Sequence, residues 1–173
     1  MAHTIYQTQG IILAKKDFGE ADRMYSIFTE KFGMINAVAQ GVRYLKSKLR
    51  YNLGLFSCGN FALIVSKDLW RIVDVEEIVN SRKILQNPER LKIFSRIANF
   101  LTRMIKGEER DDFIWEEVQN FVYSLPDKNQ GLEDLEINIL ARVLHNLGYM
   151  EDIPSSKRAL IYKINRAIKE SML

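Results

Sequence analysis

Cysteine and histidine are nearly absent from this chain, and several kinds of chemistry go with them. Cys58 is the single cysteine among 173 residues, which excludes a disulfide within the chain and a cysteine-rich zinc site. It stands in an apolar run and is read as a buried, inert thiol rather than a nucleophile. The two histidines, His3 and His145, are too few for a Cys–His dyad or a histidine-rich metal site. His145, beside Leu144 and Leu147, is read as a satisfied or surface histidine of a helix. Neither a glycine-rich phosphate loop of the Walker type nor a Gly-x-Ser-x-Gly turn occurs. The acidic pair Glu20 and Asp22 is followed at once by Arg23, a pattern that fits a local ion pair or turn better than a metal site. No catalytic residue, metal or cofactor is therefore expected, and the chain is read as a non-enzyme.

Long apolar runs are also missing. No segment approaches the length needed to cross a bilayer, and Met-Ala-His-Thr at the start lacks the basic and apolar regions of a signal peptide. The expectation is a cytoplasmic protein with no membrane contact. A hydrophobic content of 47% and a charged content of 27% are enough for a real core, so disorder is not expected.

The most telling absence is of acid. No Asp or Glu occurs between Glu30 and Asp68, and within that gap the stretch Gly41 to Arg50 carries Arg43, Lys46, Lys48 and Arg50. Tyr44 lies inside it and Tyr51 just beyond. The formal net charge of +3 conceals this asymmetry: residues 1–85 hold 12 Lys and Arg against 8 Asp and Glu, and the remainder 13 against 14. A cationic loop with aromatics on a strand-rich scaffold suits a phosphate backbone gripped by charge and bases stacked on rings. An ordinary solvated loop is the plain alternative. Arg43, Lys46, Lys48 and Arg50 are the candidate phosphate contacts, and arginine can also offer a stacking plane. Tyr44 is the candidate ring. Tyr51 stays open between stacking and core, and Phe56 is read as core.

Two periodicities divide the chain. Residues 1–80 read as five strands: Thr4–Ala14 with Gly10 marking a bulge, Met24–Glu30, Met34–Gln40, Leu53–Ser66 bent at Gly54 and Gly59, and, after a Lys67-Asp68 turn, Leu69–Val79. Five short strands with glycine kinks favour a small closed barrel over an open sheet with unprotected edges. From residue 81 the period becomes helical. Pro88 opens a helix with Leu91, Phe94, Ile97, Leu101 and Ile105 on one face, closed by Gly107. Asp111 or Asp112 caps a second, which stops at Leu125-Pro126. A third runs from Leu132 to Leu147 with Gly148 behind it, and Ser155 or Ser156 caps a fourth whose face is Leu160, Ile164, Ala167 and Ile168. The fold class is therefore α+β: a five-stranded OB-fold barrel over 1–80, the nucleic-acid-binding domain, and an all-helical domain over 81–173.

Several short pieces, in order, resemble the RecO family of bacterial recombination mediators. They are Gln9-Gly-Ile-Ile-Leu13, Gly19-Glu-Ala-Asp-Arg23, Thr29-Glu-Lys-Phe-Gly33, Ala39-Gln-Gly-Val-Arg43, Lys46-Ser-Lys-Leu49, Leu55-Phe-Ser57 and Leu69-Trp-Arg-Ile72. In the second half only Leu135–Tyr149, ending Leu-Gly-Tyr, is similar. The resemblance implies an oligonucleotide-binding barrel followed by helices, binding of single- and double-stranded DNA, and annealing of complementary strands. It further implies partnership with RecR and single-strand-binding protein in loading RecA. The chain is short and lacks the four-cysteine zinc ribbon that many relatives carry after the Leu-Gly-Tyr helix, so no zinc is implied. Two other functions fit the residues alone: a general single-stranded DNA- or RNA-binding barrel, and an adaptor whose helices do the binding.

Overall fold

The period-2 half of the chain closes into a barrel. The computed structural model describes residues 4–66, 68–79 and 81–171, so His3 and Lys67 lie outside the described residues. The strands are β1 (Tyr6–Phe18), β2 (Asp22–Thr29), β3 (Gly33–Ala39), β4 (Cys58–Ser66) and β5 (Leu69–Val79). They close in the order β1-β2-β3-β5-β4, with β1 antiparallel to both β2 and β4. A short parallel pairing of Ala37 with Trp70 and Val38 with Arg71 joins β3 to β5. This is the connectivity of an OB-fold, and closure gives each strand a neighbour on both sides. Alternate residues fill the interior: Tyr25 and Ile27, Ile35 and Ala37, Phe61 and Leu63, Trp70 and Ile72.

Two local expectations for the barrel are corrected. Gly10 stays in register with Thr29 and Gly59, and the bulge falls at Leu13, between the pairs of Ile12 and Ala14. Gly10 is there for space instead: a Cβ would stand 2.8 Å from Ile27 Cγ2 inside the barrel. The apolar run from Leu53 is not all strand, because β4 begins only at Cys58. Before it, Leu49–Tyr51 form a single 3-10 turn and Ser57 N–H donates to Gly54 O at 3.2 Å. Phe56 adopts a left-handed backbone, φ +68°, which lays its ring 4.2 Å from that of Phe94. Phe56 is buried as expected, but by a turn rather than by strand alternation.

Five helices follow: α1 (Arg82–Leu85), α2 (Pro88–Met104), α3 (Asp112–Ser124), α4 (Leu132–Asn146) and α5 (Lys157–Glu170). The four-residue α1 has no place in the expected set, since one turn is too short to show a period. Asn87 caps α2, its side chain accepting from Glu89 N–H and Arg90 N–H, and Asp111 caps α3 by accepting from Ile114 N–H. Gly148 ends α4 in the left-handed region at φ +79°. The helices cover one outer side of the barrel. Ile11, Leu13, Phe28, Phe56 and Cys58 share a single buried cluster with Phe94, Ile97, Trp115 and Phe121.

Candidate nucleic-acid interface

The connection from β3 to β4 carries the basic stretch, and its two ends are pinned. At the start, Gly41 N–H donates to Asp22 Oδ1 at 2.8 Å and Arg43 N–H to Ala21 O at 2.9 Å. Val42 and Leu53 are each 2% exposed, sunk into the barrel end, and Asn52 Nδ2 donates to Val75 O at 3.0 Å. Between these anchors the chain turns through Tyr44 N–H to Gly41 O and Ser47 N–H to Tyr44 O. The cations and rings are thus held outward on a short, tethered loop.

Lys46, Lys48 and Arg50 are exposed and make no ion pair among the described residues. Arg50 stands 5.7 Å from the ring centre of Tyr51, a loose cation–π contact. Tyr51 is 74% exposed, which removes it from the core, and Tyr44 is 55% exposed. Leu45, at 85%, projects beside them. Arg43 is set apart from the other three. Its guanidinium donates to Gly19 O at 3.3 Å and lies 3.7 Å from Asp17 Oδ2, so it ties the loop to the β1–β2 turn.

That turn brings in residues the sequence reading did not assign to the site. Asp17 and Arg23 are cross-strand partners joined at 2.8 Å, and the Arg23 hydrogen bond holds the Asp17 carboxyl below the usual range. Lys15, two residues back along β1, has its ammonium pulled below its ordinary value, first by burial and then by Arg23. Lys15, Arg23 and Arg43 therefore surround one carboxylate. The signal for this group is the β1–β2 register, which the bulge at Leu13 hides from a reading of sequence alone. Within Gly19–Arg23 the structural work falls on Asp22 and Arg23, while Glu20 is exposed.

Burial pushes the Cys58 thiol up to about 12, so it is protonated and unreactive. His145 Nδ1–H donates to Met150 O at 2.8 Å. Among the described residues no group of three or more His, Cys, Asp or Glu could hold a metal ion, and no helix is long and apolar enough to cross a membrane. The arrangement can attract an anionic polymer and offer it exposed rings.

The first half of the chain, which forms the barrel, has known relatives. Residues 1–81 match the family profile described as "Recombination protein O N terminal". A protein of Clostridium novyi named "DNA repair protein RecO" is 27% identical over 84% of this chain and 57% of its own length. Proteins of the same name from Acaryochloris marina and Synechocystis sp. are 31% identical over 64% of the chain and 44% identical over 41%. The alignments cover 38% and 26% of those two proteins. The chain thus spans little more than half the length of the relatives it matches most fully.

Proposed function

We propose that this chain, which belongs to the RecO family through its barrel, is a DNA repair protein that binds single-stranded DNA on the 41–51 loop and speeds the pairing of complementary strands. It works without catalysing a covalent step, in the cytoplasm, with the barrel over 1–80 as the nucleic-acid-binding domain and 81–173 as the helical domain. The observation that carries this reading is a set of three cations without an ion pair among the described residues, Lys46, Lys48 and Arg50, beside the solvent-facing rings of Tyr44 and Tyr51 on a loop tethered at both ends. Charge neutralisation by the cations supplies affinity, and base stacking on the rings is indifferent to sequence. Arg43 braces the loop through Gly19 O and Asp17. RecR and single-strand-binding protein are the proposed partners, and help in RecA loading the proposed outcome; double-stranded DNA binds the same cations.

The decisive experiment mixes complementary DNA strands, bare or coated with single-strand-binding protein, and follows duplex formation. The chain is expected to accelerate pairing on both templates. Tight binding without acceleration would favour a general single-stranded DNA- or RNA-binding barrel, and no binding by the loop would favour the helical adaptor.

A further inference from the structure

A second acid-free, tyrosine-bearing stretch lies on the last helix. From Ile153 to Lys169 no Asp or Glu occurs, and α5 carries Lys157, Arg158, Lys163, Arg166 and Lys169. Leu160, Ile164 and Ala167 are its buried face. Arg158, Tyr162, Arg166 and Lys169 recur at intervals of four and three, so they form one outward stripe. Part of the charge is spent at home: Lys157 pairs with Glu133 and Asp134, Lys163 with Asp152, and Arg166 with Glu170. Arg158 and Lys169 have no such partner among the described residues, and Tyr162 is 69% exposed. A shallow groove of about 460 Å³ runs between Ser156, Arg158, Ala159, Tyr162, Lys163 and Arg166.

We propose that this stripe is a second contact for single-stranded nucleic acid, in which Tyr162 stacks a base while Arg158 and Lys169 take flanking phosphates. The proposal rests on the nucleic-acid reading above and extends it to a second element. The complementarity is of two kinds: excess positive charge for the backbone, and a ring left in water for a base. An anionic peptide would use the charge but leave the ring idle. The stripe from Arg158 to Lys169 covers about 16 Å of helix axis, the reach of a few nucleotides. Two strand contacts on one chain would raise the effective concentration of one strand near the other.

The test uses the full chain, with Y162A, Y162F and R158A/K169A made both in the parent and in a K46A/K48A/R50A loop variant. Binding of a labelled oligothymidine is read by fluorescence anisotropy across salt, and thermal melts check folding. Y162A should weaken binding by about tenfold and Y162F should restore it. R158A/K169A should flatten the log–log salt slope by about 1.4. An abasic strand of the same length should not distinguish Y162A from its parent. No change with Y162A in either background overturns the proposal. So does a poly-glutamate peptide whose binding needs Arg158 and Lys169 but not Tyr162. Loop variants that bind as well as the parent, with Y162A still weakening binding, would instead sink the loop reading and leave α5 as the contact.

Discussion

Gly33 shows how a single residue can join the two halves of the molecule. It opens β3 at φ +58°, in the left-handed region, and a Cβ there would stand 2.3 Å from the backbone oxygen of Glu109. Backbone cannot retreat as a flexible side chain can, so Gly33→Ala is expected to cost about 2–4 kcal/mol. Urea unfolding of the variant against the parent measures it; a loss under about 0.5 kcal/mol would mean the contact relaxes freely. Glu136 carries a different kind of strain. It is 8% exposed on α4, with Arg96 of α2 at 2.5 Å, yet burial outweighs the arginine and its carboxyl is raised above the ordinary value of 4.5. A raised acid favours the protonated folded state. Its stabilising contribution is therefore complete below the ordinary value and is lost as pH rises through the folded one. Glu136→Gln removes that decline, so the variant's stability relative to the parent should climb over the pH interval that lies above the ordinary value of 4.5. Unfolding curves taken across this interval check it, and a flat or falling difference would show that the Arg96 pair dominates.

The 40–57 connection behaves as an element in its own right. Its apolar anchors Val42 and Leu53 and its tie to Asp22 leave the middle to solvent, so the loop gains electrostatic reach without losing shape. Four cations on the loop would give a log–log salt slope for single-strand binding near −3, at about −0.7 per phosphate contact. Arg43, however, is already engaged by Gly19 O and Asp17. The loop's own share of the slope is therefore about −2, from Lys46, Lys48 and Arg50. Alanine at any of these three should flatten it by about 0.7, whereas Arg43→Ala should act mainly by loosening the loop. Measured in the R158A/K169A background, a slope near zero would remove the electrostatic account of the loop, and a slope near −3 would show that Arg43 leaves its partners to meet phosphate.

At the scale of the whole molecule the barrel and the helices share one core. Phe94 and Phe121 of the helices pack in the same cluster as Ile11, Phe28 and Phe56 of the barrel half. Polar ties close the seam: Met34 N–H donates to Gly107 O at 3.1 Å, Trp70 Nε1–H to Glu108 Oε1 at 3.0 Å, and Gln119 Nε2 to Gln9 Oε1 at 2.8 Å. A barrel of about 80 residues is marginal alone. Residues 1–82 made as a fragment should melt broadly and bind DNA weakly despite keeping every cation of the loop. A sharp melt with parental affinity would mean that the barrel is independent.

The class of the fold is legible in the sequence, because side-chain alternation and the 3.6-residue stripe are properties of each element read alone. Tyr25 and Ile27 point inward by period two, and Phe94, Ile97 and Leu101 line one helix face by period 3.6. The acid-free loop was legible for the same reason, since local charge needs no partner to be counted. The tertiary structure decided what depends on a distant partner. It turned Phe56 into the helices through a left-handed backbone, placed the bulge at Leu13 rather than Gly10, and set Asp17 between Arg23 and Arg43. Those outcomes follow from barrel closure, where one register shift redirects every side chain after it and no neighbour in sequence records the change.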